Sequence, residues 1–131
     1  MHGLDSNILL RAIANDDAIQ SPAARLFLTN LTEESPGVIN PVVLVEVCWS
    51  LRARYKRSRL DVLAAVENML RSRAYKFTER RAINRAMVVC NDLPLELPDA
   101  LIGQLNRKAG CASTVTFDKF AGRSDLFSSL P

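Results

Sequence analysis

Glu46 stands in the run Pro41-Val42-Val43-Leu44-Val45-Glu46-Val47-Cys48-Trp49, where every other residue is apolar. Asn40 followed by Pro41 marks a helix start, a capping side chain and then proline at the first helical position. A helix apolar nearly all round is expected to be buried. A carboxylate on it is costly unless something positive neutralises it. No basic residue lies within a turn on either side, and Arg52 is the first beyond. The missing charge is either an arginine brought in by the fold or a metal ion. Three more acids stand at places with mechanical meaning. Asp5 ends a first strand, Asp118 ends the strand Val115-Thr116-Phe117, and Asp99 lies in the first turn of a helix that starts at Pro98. In open parallel α/β sheets, ligands bind beyond the carboxyl ends of the strands, where strand order reverses. Asp5 and Asp118 converge there if the first and fourth strands are neighbours. Hard oxygen ligands without His or Cys suit Mg²⁺ or Mn²⁺, not zinc. Each aspartate also has a plain structural reading as a cap or a helix-dipole partner. Glu46 has one as the partner of a buried arginine. His2 reads as an incidental strand residue.

These acids need elements to hold them. A short strand covers residues 1–5, and Ser6-Asn7 can cap a helix running to about Ile13. Asn15-Asp16-Asp17 breaks that helix, and Ser21-Pro22 starts another. Val38-Ile39 is a second strand, followed by the helix of Glu46, which turns basic from Arg52. Ser58 caps a helix with Leu60, Val62, Leu63, Val66, Met69 and Leu70 at helical spacing. Tyr75-Lys76-Phe77 is a third strand, and a helix opens near Thr78-Glu79. Pro98 starts a helix through Ala109 that Gly110 ends. Ser113–Phe117 is a strand rich in β-branched residues. A helical turn near Lys119–Arg123 and an edge strand at Leu126-Phe127 close the chain. Strands alternating with helices predict an α/β class with a parallel sheet.

The 131 residues predict one domain, 1–131, with a real core. No apolar stretch approaches the roughly 18–20 residues that span a bilayer, and the first residues lack the pattern of a secretion signal. A cytoplasmic protein with no membrane contact is the expectation. Cys48, Cys90 and Cys111 are widely spaced and predict buried thiols rather than a metal knuckle or disulfides. The net charge of +3 hides an asymmetry: residues 51–85 carry eleven Lys/Arg and three acids, +8, and the remainder six and eleven, −5. That pattern suits a polyanion-binding rim beside an acidic site, or a solvated pair of helices.

Four segments together resemble the PIN-domain ribonucleases, and more narrowly the VapC-like toxins of toxin–antitoxin pairs. Gly3-Leu4-Asp5-Ser6-Asn7-Ile8-Leu9-Leu10-Arg11 resembles the opening aspartate motif, with Ser6 where threonine is common. Leu44–Leu51 resembles the buried glutamate helix, Pro98–Ile102 the third acidic motif, and Thr116-Phe117-Asp118-Lys119 the fourth. Their order and spacing extend the resemblance over essentially the whole chain. It implies a PIN-like α/β/α sandwich with a five-stranded parallel sheet, the first strand central and the fourth beside it. It implies that Asp5, Glu46, Asp99 and Asp118 bind Mg²⁺ or Mn²⁺ and cleave RNA, with Asn7 and Thr116 supporting their orientation. Many relatives carry an additional aspartate three residues before the third acid; Glu96 stands there as a candidate accessory residue. It further implies a homodimer and a small VapB-like antitoxin that joins it in a higher complex.

Two other readings remain at this level. One is an RNA-binding PIN module without effective catalysis, against which the retention of all four acids argues. The other is a phosphoacceptor signalling domain. That would pair acids before the second helix and place a lysine at a strand end, whereas Asp16-Asp17 follows a helix and Lys119 directly follows Asp118.

Overall fold

The computed structural model describes every residue except Phe120, and Arg123 by its backbone alone. The chain divides into two compact units, Met1–Thr78 and Glu79–Pro131.

In the first unit, β1 (His2–Gly3), α1 (Ser6–Ala14), α2 (Gln20–Thr29), β2 (Gly37–Ile39), α3 (Pro41–Ala53), α4 (Arg59–Arg71) and β3 (Tyr75–Phe77) follow one another. The strands form a parallel sheet in the order β1-β2-β3. Gly3 is in register with Val38, and Val38 with Lys76. Helix starts here follow local chemistry. The Asn40 side chain accepts from the Val43 N–H at 2.9 Å, and the Ser58 hydroxyl accepts from Asp61 N–H at 3.1 Å. α2 begins one residue before the expected Ser21, because the Asp17 carboxylate accepts from the N–H groups of both Ile19 and Gln20. Asn15, with φ 52°, ends α1 in the left-handed region that Asn tolerates.

The core of this unit gathers Leu9, Ile39, Leu44, Val47, Leu51 and Val66, each at most 1% exposed. Burying an aliphatic side chain of this size contributes about 1.5–3 kcal/mol. α3 is not buried all round. Its buried residues are Leu44, Val47, Cys48 and Leu51, one face at i, i+3, i+4 and i+7. Val42 and Trp49 are exposed, and so is Glu46. The expectation of a buried Glu46 is therefore corrected: the run is apolar, but only one face of it meets the core.

The second unit holds α5 (Arg80–Asp92), α6 (Leu97–Lys108), β4 (Thr114–Thr116), a 3₁₀ turn at Ala121–Arg123 and β5 (Phe127–Ser129). The turn expected near 119–123 is thus present over three residues, while Phe120 lies outside the described residues. β4 and β5 pair in parallel, with Thr116 opposite Ser129. Ile83, Ala86 and Cys90 of α5 and Leu97 and Leu101 of α6 are buried together with Leu126. At Gly103 of α6 an added Cβ would sit 3.1 Å from the Phe127 ring and 3.2 Å from Leu126, so this residue lets α6 lie close on β5. Gly110, with φ 101°, turns the chain out of α6. Cys48 and Cys90 are buried as expected, but Cys111, next to that turn, is exposed.

The strands therefore form a three-stranded and a two-stranded sheet, not the single five-stranded sheet that the resemblance implies. β1 is only two residues long, and its ladder runs to β2. Among the described residues no helix is long and apolar enough to cross a membrane.

Candidate active site

The first unit brings Asp5 and Glu46 into one hydrogen-bonded arrangement. The Leu4 N–H donates to Val38 O at 2.9 Å and carries the ladder one residue past β1, so Asp5 emerges at the strand's carboxyl end. Asp5 is extended (φ −87°, ψ 156°) and caps α1, its Oδ1 accepting from the Ser6 N–H at 2.9 Å. Ser6 itself is buried, and its hydroxyl donates to Glu46 Oε2 at 2.8 Å. One residue thus ties both acids: its amide meets the Asp5 carboxylate and its hydroxyl meets the Glu46 carboxylate. Asp5 and Glu46 are both exposed. Exposure removes the desolvation cost expected of Glu46 on a buried helix.

Asn7 is not part of that arrangement. It lines a groove between α1 and α2 with Ile8, Arg11, Gln20 and Phe27. Beside the groove, Arg11 donates to Asp16 at 2.9 Å and to Gln20 at 2.8 Å, and the Tyr55 hydroxyl donates to Asp16 at 2.8 Å. The Tyr55 hydrogen bond, with help from Arg11, holds the Asp16 carboxyl below its ordinary range. Asp16 is thereby fixed as a structural acid.

The second unit brings Asp99, Asp118 and Glu96 within electrostatic reach of one another. Asp99 is half-buried in the first turn of α6. Burial pushes its carboxyl above the ordinary range, and the charges of Asp118 and Glu96 push it the same way. Glu96 is the N-cap residue of α6, but its side chain makes no capping hydrogen bond. Asp118 follows β4. Its N–H donates to Thr116 Oγ1 at 3.0 Å, its Oδ1 accepts from Ala121 N–H at 3.3 Å, and its carbonyl accepts from the Ser129 hydroxyl at 3.2 Å. Thr116 and Ser129, opposite one another in the β4–β5 ladder, thus hold the backbone of Asp118 from two sides.

Among the described residues, no three His, Cys, Asp or Glu side chains are gathered as a metal-ligand group. The donors do fit a hard divalent cation in kind: they are carboxylate oxygens, and Asp99 carries an unfavourable concentration of negative charge that a cation would relieve. The basic segment 51–85 is divided between the units. Arg52, Arg54, Lys56 and Arg57 are exposed at the end of α3 and beyond it, whereas Arg80, Arg81 and Arg85 belong to α5. Two features escaped the reading of the sequence. Ser6 reads as a cap in the sequence, whereas Asp5 caps α1 and the Ser6 hydroxyl reaches Glu46. Arg107 and Lys108, outside the basic segment 51–85, carry no motif in the sequence.

No curated protein and no solved structure matches the chain. A family model does: the PIN domain, over residues 4–122. That stretch contains Asp5, Glu46, Asp99 and Asp118, and it crosses from the first unit into the second. The chain therefore belongs to the PIN domain family, whose members are generally nucleases.

Proposed function

We propose that the protein is a metal-dependent endoribonuclease of the VapC-like toxin kind, with Asp5, Glu46, Asp99 and Asp118 as its catalytic acids and Mg²⁺ or Mn²⁺ as its cofactor. The observation that carries this reading is the PIN-domain match over residues 4–122, within which Asp99, its carboxyl pKa raised by burial first and by Asp118 and Glu96 second, stands half-buried at the start of α6. Carboxyls raised by burial and by neighbouring acids cluster at functional sites. A divalent cation, when bound, supplies Lewis acidity: it draws charge from the scissile phosphate and acidifies the attacking water.

The chain's own residues then have separate tasks. Asp99 and Asp118 supply negative charge from the start of α6 and the end of β4. Ser6 fixes the orientation of Glu46, and Asp5 fixes Ser6. Thr116 and Ser129 hold the main chain at Asp118. Glu96 is an accessory acid that tunes Asp99. The substrate is RNA, and the partners that accompany this reading are a second copy of the chain and a VapB-like antitoxin in the cytoplasm.

The test is cleavage of RNA by the purified protein with Mg²⁺ or Mn²⁺. Asp5→Asn, Glu46→Gln, Asp99→Asn and Asp118→Asn are each expected to lower the rate by roughly two orders of magnitude or more. Cleavage that persists in EDTA or in all four variants refutes the reading. RNA binding with no cleavage under any metal would instead make the protein a binding module.

A further inference from the structure

α5 and α6 line a half-open cavity of about 440 Å³ in the second unit, and its charge is almost all of one sign. Arg80, Arg81 and Arg85 line it from α5, and Arg107 and Lys108 from α6; Glu79 is the one acid in the lining. Five cations against one anion give a net charge of +4. Held in one cavity within about a Debye length, such charges repel one another.

Helix electrostatics account for only part of this. Arg107 and Lys108 lie in the last turn of α6, where cations are favoured. Arg80 and Arg81 open α5, where the helix dipole disfavours them. Internal pairing covers only part of the group. Lys108 Nζ lies 2.6 Å from both Glu79 carboxylate oxygens, and Arg107 meets Asp125 at 3.6 Å. Arg81 and Arg85, one turn apart, form no ion pair among the described residues. Arg81 and Arg85 are two exposed like charges side by side on α5 and open to an anion.

We infer that this cavity is a phosphate-binding subsite for the RNA backbone, away from the acids. The inference rests on the nuclease reading for the identity of the polyanion. Guanidinium groups suit phosphate through bidentate hydrogen bonds. The nuclease reading favours RNA over an acidic protein segment, and the length of α6 is compatible with it. Asp99 lies at one end of this helix and Arg107 and Lys108 at the other, eight and nine residues on. That separation is about 12–13 Å along the axis. It corresponds to roughly three to four nucleotides at a stacked rise of about 3.4 Å. A strand with one phosphate at Asp99 therefore presents a later phosphate to the cavity.

The experiment measures equilibrium binding of a short, mixed-sequence, single-stranded oligoribonucleotide in EDTA, as a function of salt. For Arg81→Ser with Arg85→Ser, the slope of log affinity against log salt is expected to fall by about 1.4, from about 0.7 per single-strand phosphate contact. Glu79→Gln removes the acid of the lining and releases Lys108. Its side chain does not cap α5. It should tighten binding by roughly two- to fivefold, within the reach of one screened surface charge. This second variant gains affinity, so misfolding cannot produce its expected result. A wild-type slope in the double variant, or no gain in Glu79→Gln, overturns the inference. So does a polyglutamate peptide whose binding weakens in the double variant while that of RNA does not. Metal-dependent cleavage by the wild type is measured separately. Its failure would refute the nuclease reading while the salt slopes still decide the fate of this subsite.

Discussion

Replacing Ser6 with alanine removes one buried oxygen and tests whether the link between Asp5 and Glu46 matters to chemistry. The hydroxyl belongs to a residue 6% exposed and donates to Glu46 Oε2 at 2.8 Å. A hydrogen bond to a charged group contributes about 1.5–3 kcal/mol when both partners are shielded. Here the acceptor is exposed, so water can replace the lost donor, and the estimate falls to about 1 kcal/mol. For a chain of this length that corresponds to a drop in melting temperature of about 3–5 °C. The effect on cleavage should be larger than so mild a change in stability suggests. Glu46 would lose the contact that fixes its rotamer, and about 1.4 kcal/mol of misplacement lowers the rate about tenfold. Single-turnover cleavage at saturating Mn²⁺ reads that rate, and a thermal melt reads the stability. Ser6→Thr keeps the donor and should restore most of the activity. In a Glu46→Gln background, Ser6→Ala should add little to the loss of activity, because the two residues act through one contact. Wild-type cleavage by Ser6→Ala, or full additivity with Glu46→Gln, would refute the reasoning.

Three further outcomes are expected. The Asp99 carboxyl is raised above its ordinary value, so the folded state binds a proton that the unfolded state has released. Its contribution to stability is therefore lost as pH rises from the ordinary carboxylate value through the raised one. Metal-free Asp99→Asn should melt higher than wild type at neutral pH and lose that advantage in acid; an unchanged difference across pH counts against the crowding. Saturating Mn²⁺ should raise the melting temperature of the wild type, as any ligand of the folded state does, and should raise that of Asp99→Asn less; equal shifts would place the ion elsewhere. Expression in a bacterium should arrest growth, with relief by Asp99→Asn at matched protein level; equal growth of the two strains would count against a toxin.

Much of the fold is legible where local chemistry decides it. Asn40-Pro41 and Ser58 announce helices because their side chains satisfy amides that the first turn leaves open. Val115 and its threonine neighbours announce β4 because branched side chains suit an extended backbone. What the sequence conceals is orientation. The run around Glu46 is apolar by composition, but Val42 and Trp49 face outward with it, and composition does not say which apolar residues the core accepts. Ser6 conceals its partner because Glu46 is forty residues away. Arg107 and Lys108 belong with Arg81 and Arg85 only after α5 and α6 pack. Sheet membership is equally non-local, since strands of two or three residues carry too little pattern to declare their neighbours. The crowding of Asp99 was foreshadowed by Glu96 three residues before it, although its larger causes, burial and Asp118, come from the tertiary structure.

The close seat of α6 on β5 has a genetic consequence. Gly103 is one turn from Asp99 on the same helix, and Phe127 presses on the space where its side chain would be. Gly103→Ala must push the helix or the ring aside by a few tenths of an ångström, and the helix carries Asp99 with it. An allele at a position with no charge, no hydrogen-bonding side chain and no contact with substrate should therefore behave like a weak active-site lesion. Its remedy should lie on the facing strand, in a smaller side chain at residue 127. Gly103→Ala and Phe127→Leu are thus expected to form an intragenic suppressor pair, each harmful alone and the two together closer to wild type than either.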